Sequence, residues 1–208
     1  KKGSIMIVEK ELFMSKLNEK RKIFIYLPED YDTSNKQYPV LYAFDGHNIF
    51  LDAYATYGKA IHIQEHIEKL NLDLIVVGQE CSHIGNNRLK EYAPYPFYDP
   101  EYGSFEGIGD ATMDFFVNEL KPYIERKYAV TALRTKNSIW GSSLSGTYAL
   151  WLALKYAKYF GSGVAFSPGV SFDDGLDMAS YKREFQNIME VNYPLNLYLD
   201  VGTCENVP

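Results

Sequence analysis

The residues best suited to do chemistry lie together at Gly141-Ser142-Ser143-Leu144-Ser145-Gly146. A serine hydroxyl is a weak nucleophile until geometry and a neighbouring base activate it, and one recurrent arrangement is a sharp strand-to-helix corner spelled G-x-S-x-G. Small residues must flank that serine, because strand and helix approach closely and the serine backbone is strained. Gly141 and Gly146 meet the demand, while Ser145 stands where the strict pattern has glycine and is nearly as small. The pattern predicts Ser143 as the nucleophile of an acyl transfer. A helix starting near Leu144 points its N-terminus at the serine, so the Leu144 amide is placed to receive charge developing on a carbonyl oxygen. A second donor is expected from Asp45-Gly46-His47-Asn48, through the amide of Gly46 or His47.

A competing pattern is His62-Ile63-Gln64-Glu65-His66, the H-x-x-E-H form in which two imidazoles on one helical face hold zinc beside a glutamate base. The same stretch carries Ile61, Ile67 and Leu70 at helical spacing, which makes the histidines polar-face residues, and no third ligand is evident. A zinc peptidase built on His62, Glu65 and His66 is therefore the remote alternative, and no metal or cofactor is expected.

These residues need a scaffold. Residues 22–27 and 38–44 are β-rich segments halted by Pro28 and by Asp45-Gly46. Residues 72–78, 137–140, 163–166 and 195–201 are nearly continuous apolar runs, the pattern of strands buried on both faces of a parallel sheet. Helical spacing falls between them: Ile61, Ile67, Leu70; then Met113, Phe116, Leu120, Ile124; then an Ala- and Leu-rich stretch from Thr147 to Tyr159. Pro122 lacks a backbone donor and predicts a kink or the first turn of a new helical piece. Alternating strands and helices give an α/β architecture with a mainly parallel central sheet and helices on both faces. Ligands then sit at the carboxyl ends of the strands, directly after the segments that carry Ser143 and Gly46.

Composition narrows the partners. The 208 residues are 46% hydrophobic and 23% charged, enough for one well-buried domain, and every apolar run is cut by Gly, Pro or a charge well short of a membrane span. A net charge of −6 with scattered Lys and Arg disfavours nucleic acid. Two cysteines, Cys81 and Cys204, follow strands expected to lie far apart in the sheet, which suggests unpaired thiols and a cytoplasmic setting. A homo-oligomer stays compatible with the sequence. Of 18 tyrosines, several crowd between Tyr92 and Tyr102, where Pro94, Pro96 and Pro100 argue against regular structure. Tyr92, Tyr95, Phe97, Tyr98 and Tyr102 are expected to form a wall around a small-molecule ester, with aromatic or sugar-linked esters as the substrate class.

Several spaced segments resemble an esterase family of the α/β-hydrolase superfamily that includes enterochelin esterases, feruloyl esterases, S-formylglutathione hydrolase and the mycolyltransferases. They are 25–28 (IYLP), 39–50 (PVLYAFDGHNIF), Arg88 with Glu91-Tyr92 and Pro94, 119–124 (ELKPYI), 141–144 (GSSL) and 201–203 (VGT). The resemblance implies an α/β-hydrolase fold, hydrolysis of carboxylic esters, and a place for Arg88 in substrate binding. It also implies that Glu205, in Gly202-Thr203-Cys204-Glu205, is the acid that orients a catalytic histidine, with Asp200 a weaker candidate. In this fold the order is serine, acid, histidine, yet His47, His62, His66 and His83 all precede Ser143. The expectation is one domain over 1–208, incomplete at its C-terminus, lacking the last strand and helix as well as the histidine. A catalytically inactive pseudo-hydrolase or ligand-binding module is the other alternative.

Overall fold

A computed structural model of the chain describes residues 6–99, 101–168 and 193–202. Two long strands, β1 (Met6–Met14) and β2 (Glu19–Leu27), form an antiparallel hairpin, and β3 (Val40–Ala43) and β4 (Ile75–Gln79) follow. A short pair, β5 (Phe97–Asp99) and β6 (Gly103–Phe105), stands apart as its own two-stranded sheet. Then come β7 (Asn137–Ser142), β8 (Ser162–Phe166) and β9 (Asn196–Asp200). The seven strands of the main sheet run in the order β1-β2-β4-β3-β7-β8-β9, parallel from β4 to β9 and antiparallel at β1 and β2. Among the described residues β9 closes one edge, with all five of its residues exposed.

The period of two along each strand divides the core. Ile23, Ile25, Val40, Tyr42, Ile75, Val77 and Ile139 face one side; Phe24, Tyr26, Ala43, Val76 and Trp140 face the other. Both faces are apolar because both are covered, which is why these strands read as unbroken hydrophobic runs. The first face packs against α3 (Gly109–Asp114), α4 (Lys121–Lys127) and α5 (Leu144–Lys155), through Met113, Ile124, Tyr148, Trp151 and Leu152. The second packs against Ile49, Phe50 and Ile67, the last on α1 (Ile63–Lys69). Each such fully buried side chain contributes roughly 1.5–3 kcal/mol.

Between α3 and α4 the helix does not break at Pro122. Phe115–Leu120 widens into a π-helical turn, and the Lys121 amide donates to the Phe116 carbonyl five residues back. Pro122 falls in the first turn of α4, where a missing N–H costs least. The expected apolar stripe on α1 is corrected: Ile61 and Leu70 are exposed, and Ile67 is buried beside Gln64, whose amide donates to the Phe50 carbonyl. The proline-rich stretch also holds more order than its composition suggests. The Asp99 carboxylate accepts from the Glu101 and Tyr102 amides, Gly103 takes a left-handed φ of 87°, and the resulting turn closes β5 onto β6.

One more element bears on the site. The short helix α2 (Asn87–Glu91) follows β4, and a buried ion pair fastens it to β2: Arg21 Nη2 donates to Glu91 Oε1 at 2.6 Å, with both side chains nearly inaccessible. Glu91 also accepts from the Ser82 amide. Burial pushes the Glu91 carboxyl above its ordinary range, against the opposing charge of Arg21. Removing Arg21 leaves that carboxylate buried without its cation, so Arg21→Met should lower unfolding free energy by about 3 kcal/mol. Urea denaturation measures this, and Arg21→Met combined with Glu91→Leu should recover part of the loss.

Candidate active site

At the carboxyl end of β7 the chain turns through Ser143 with φ 58° and ψ −130°, a conformation L-residues rarely adopt, and enters α5 at Leu144. The corner is held from both sides. The Ser143 amide donates to the Phe166 carbonyl at the end of β8, at 2.9 Å. Ser145, fully buried, closes the turn on itself: its hydroxyl donates to the Ser142 carbonyl at 2.8 Å and accepts from the Ser142 amide at 3.1 Å. The strict pattern's glycine is thus replaced by a side chain whose polar atom is satisfied inside the corner. No such latitude exists at Gly141, where an added Cβ would come within 2.1 Å of the Ser145 carbonyl oxygen. Ser143 itself is exposed. The Leu144 amide, first in α5, has no partner within the helix.

The loop after β3 stands next to this corner, because β3 and β7 are neighbours. Asp45 has a left-handed φ of 54° and opens a 3₁₀ turn at Gly46–Asn48 whose first two amides, Gly46 and His47, have no acceptor within it. Gly46 lies against Gly78 of β4 so closely that a Cβ would stand 2.4 Å from the Gly78 carbonyl carbon. Arg88 on α2 grips Asp45 with two parallel bonds, Nε to Oδ1 at 2.8 Å and Nη2 to Oδ2 at 2.7 Å. Burial alone would raise the Asp45 carboxyl, but the Arg88 guanidinium outweighs it and holds the group below the usual carboxylate range, with help from the Ser145 hydroxyl. Asp45 therefore stays ionised and links α2, the 3₁₀ turn and the serine corner.

Ser142, Ser143 and Trp140 share a cleft of about 610 Å³ with His47, Cys81, His83 and Arg88. A larger concavity of about 870 Å³, lined by Tyr26, Glu65, Glu68 and Asp73, holds no residue of the corner and no part of the 3₁₀ turn. Burial lowers the His47 imidazole's affinity for a proton, with His83 and Arg88 adding to the effect against Asp45 and Glu80. His83 is the cleft residue that sequence reasoning missed: it follows β4 with no motif around it, and only the strand order places it beside His47.

The expected aromatic wall is corrected. Tyr92 is a core residue, stacked on Tyr148 and accepting from the Asp45 amide. Tyr95 packs edge-on to Trp151, Phe97 stacks on Phe105, and Tyr98 and Tyr102 are half-exposed on the small hairpin. None of the five lines the serine cleft among the described residues, whereas Arg88 does. The zinc-peptidase pattern is corrected as well. His62 precedes α1 with a φ of 56° and pairs with Asp52 at 2.9 Å, so it does not share a helical face with His66. Asp200 ends β9 with its carboxylate accepting from the Ser167 amide. Glu205, and with it Cys204, lies outside the described residues. Cys81 is a free, buried thiol.

Comparison with known proteins gives one consistent answer. The chain is 29% identical over 143 residues to the uncharacterized protein YbbA of Bacillus subtilis, covering 68% of this chain and 54% of that one. It is 24% identical over 209 residues to the ferri-bacillibactin esterase BesA of the same organism, covering 92% and 69%. The crystal structure of the BES protein from Bacillus cereus superimposes with a TM-score of 0.71 at 21% identity, over 99% of this chain and 79% of that one. The chain spans about half the length of YbbA and about two thirds of BesA. The fold is the α/β-hydrolase fold, and the family model described as "Putative esterase" matches residues 14–205, so the chain belongs to that family.

Proposed function

We propose that the protein hydrolyses a small-molecule carboxylic ester through an acyl-enzyme on Ser143. The observation that carries this reading is the exposed Ser143 hydroxyl on a left-handed corner, opening into a cleft beside unpaired helix-start amides. Ser143 Oγ attacks the ester carbonyl and gives up its proton to a base, forming a tetrahedral intermediate. The amides of Leu144 and of Gly46 or His47 receive the negative oxygen. Collapse breaks the bond to the alcohol oxygen, which takes the proton; water then repeats the sequence on the acyl-enzyme and frees the acid.

Glu205 is the proposed acid partner, and the base is a histidine that in this fold follows it in chain order. His47 and His83 precede the nucleophile and are assigned to the cleft wall. BesA is described as a ferri-bacillibactin esterase, and an ester of comparable kind is consistent with a cleft lined both by apolar side chains such as Trp140, Ile61 and Phe44 and by the charged Arg88 and Lys59. In the full-length gene product, Ser143→Ala should lower kcat for p-nitrophenyl acetate by at least about 1,000-fold with folding unchanged by circular dichroism. Retained activity would remove Ser143 from the mechanism and leave a ligand-binding reading in its place.

Arg88 acts here as a positioning residue through Asp45 rather than on the substrate. Lysine keeps the charge but not the two-pronged geometry, so Arg88→Lys should lower kcat roughly tenfold with KM little changed. Steady-state kinetics on a chromogenic ester separate the two parameters; a large rise in KM alone would mean that Arg88 binds substrate directly.

A further inference from the structure

We infer that His47, Cys81 and His83 form a binding site for a zinc-class cation on the wall of the Ser143 cleft. The three residues sit on the loops after neighbouring strands β3 and β4, and the ligand atoms they offer all lie within 4.8 Å of one another. All three line the cleft, so a cation has a route from solvent. Among the described residues no other set of His, Cys, Asp and Glu gathers its donors in this way.

Each imidazole already has a partner on Nε2. His47 Nε2 is 3.1 Å from the Thr56 hydroxyl and His83 Nε2 is 3.1 Å from the Glu80 carboxylate, the outer partners that fix a ligating ring. That leaves Nδ1 of each ring for a cation. His47 Nδ1 is buried and has no hydrogen-bond partner among the described residues, a cost that protein interiors seldom carry without a reason. The two rings meet edge to face with centroids 4.7 Å apart.

Two nitrogens and a sulfur select a borderline-soft ion over magnesium or calcium, which prefer oxygen. With Zn–N near 2.0–2.1 Å and Zn–S near 2.3 Å, tetrahedral donors stand about 3.3–3.7 Å apart. A pivot of the exposed His83 ring about its Nε2 contact with Glu80 closes the remaining gap without moving the core. Binding replaces the Cys81 S–H bond by an S–metal bond and releases the proton to solvent; nothing is oxidised or reduced. Burial pushes the Cys81 thiol up, so the cation itself must displace the proton; Asp45 and Glu80 then offset the cation's charge while Arg88 opposes it. Three protein ligands leave a fourth position for water or a ligand oxygen from the cleft.

Cation binding here does not require the Ser143 hydroxyl. Cobalt(II), added to the full-length protein, should bind at one equivalent and give the intense near-ultraviolet absorption of a thiolate-to-cobalt transition. Ser143→Ala should bind it equally well, so failure of the esterase reading leaves the result intact. Cys81→Ser should abolish the absorption, His83→Ala should weaken zinc binding by at least about tenfold in competition with a chromogenic chelator, and His66→Ala should change neither. Absorption that persists in Cys81→Ser, zinc affinity unaffected by His83→Ala, or no cobalt–thiolate transition in the unsubstituted protein would each overturn the assignment.

Discussion

A single residue in an unfavourable conformation organises the candidate site. Ser143 is held at φ 58° because the end of β7 and the start of α5 are pressed together, and that contact exists only because Gly141 has no side chain. Strain of this kind costs on the order of 1–3 kcal/mol and persists only where surrounding structure overdetermines it. Here the constraints are visible: the bond from the Ser143 amide to Phe166 on β8, the paired bonds between Ser145 and the Ser142 backbone, and the packing of Tyr148, Trp151 and Leu152 against the sheet. The result leaves Ser143 exposed at the point where α5 begins.

The second half of the site depends on buried charge. Arg21 on β2 holds Glu91, and three residues earlier on the same short helix Arg88 holds Asp45. Asp45 in turn begins the 3₁₀ turn after β3, while Gly46 and Gly78 permit that turn to lie directly on β4. Such pairs are a weak source of net stability, since desolvation offsets most of their attraction. Their value is geometric: each fixes an element that has little hydrophobic surface of its own, and the bidentate Arg88 fork fixes direction as well as distance.

Sequence alone reveals the parts of this fold in which local chemistry and tertiary packing agree. The apolar runs at 72–78 and 137–140 announce doubly covered strands, and the small residues around Ser143 announce a corner; the runs at 163–166 and 195–201 mark strands too, but these are covered less fully. Elements whose residues answer to tertiary neighbours are harder to see. β1 carries Glu9, Lys10 and Glu11 in a row, as suits an edge strand with solvent on its flank, and gives no clean alternation. The tyrosines of 92–102 look like a pocket wall by composition, yet Tyr92 stacks on Tyr148 in the core, Tyr95 packs edge-on to Trp151, and Tyr98 and Tyr102 stand half-exposed on the small hairpin. His83 has no motif at all; it reaches the cleft because β4 lies beside β3, a fact of strand order. Helix α1 shows the reverse error, since spacing alone placed Ile61 and Leu70 inward where only Ile67 is covered.

The central claim is that the Ser143 hydroxyl is a poised nucleophile and not a turn residue that happens to be exposed. A fluorophosphonate reagent tests this without knowledge of the natural substrate, since it modifies a serine only where the oxygen is activated and anionic charge is stabilised beside it. In the full-length protein, peptide mass spectrometry after brief exposure should locate one phosphonyl adduct, on Ser143. No adduct, or modification spread over surface hydroxyls with Ser143 untouched, would contradict the account.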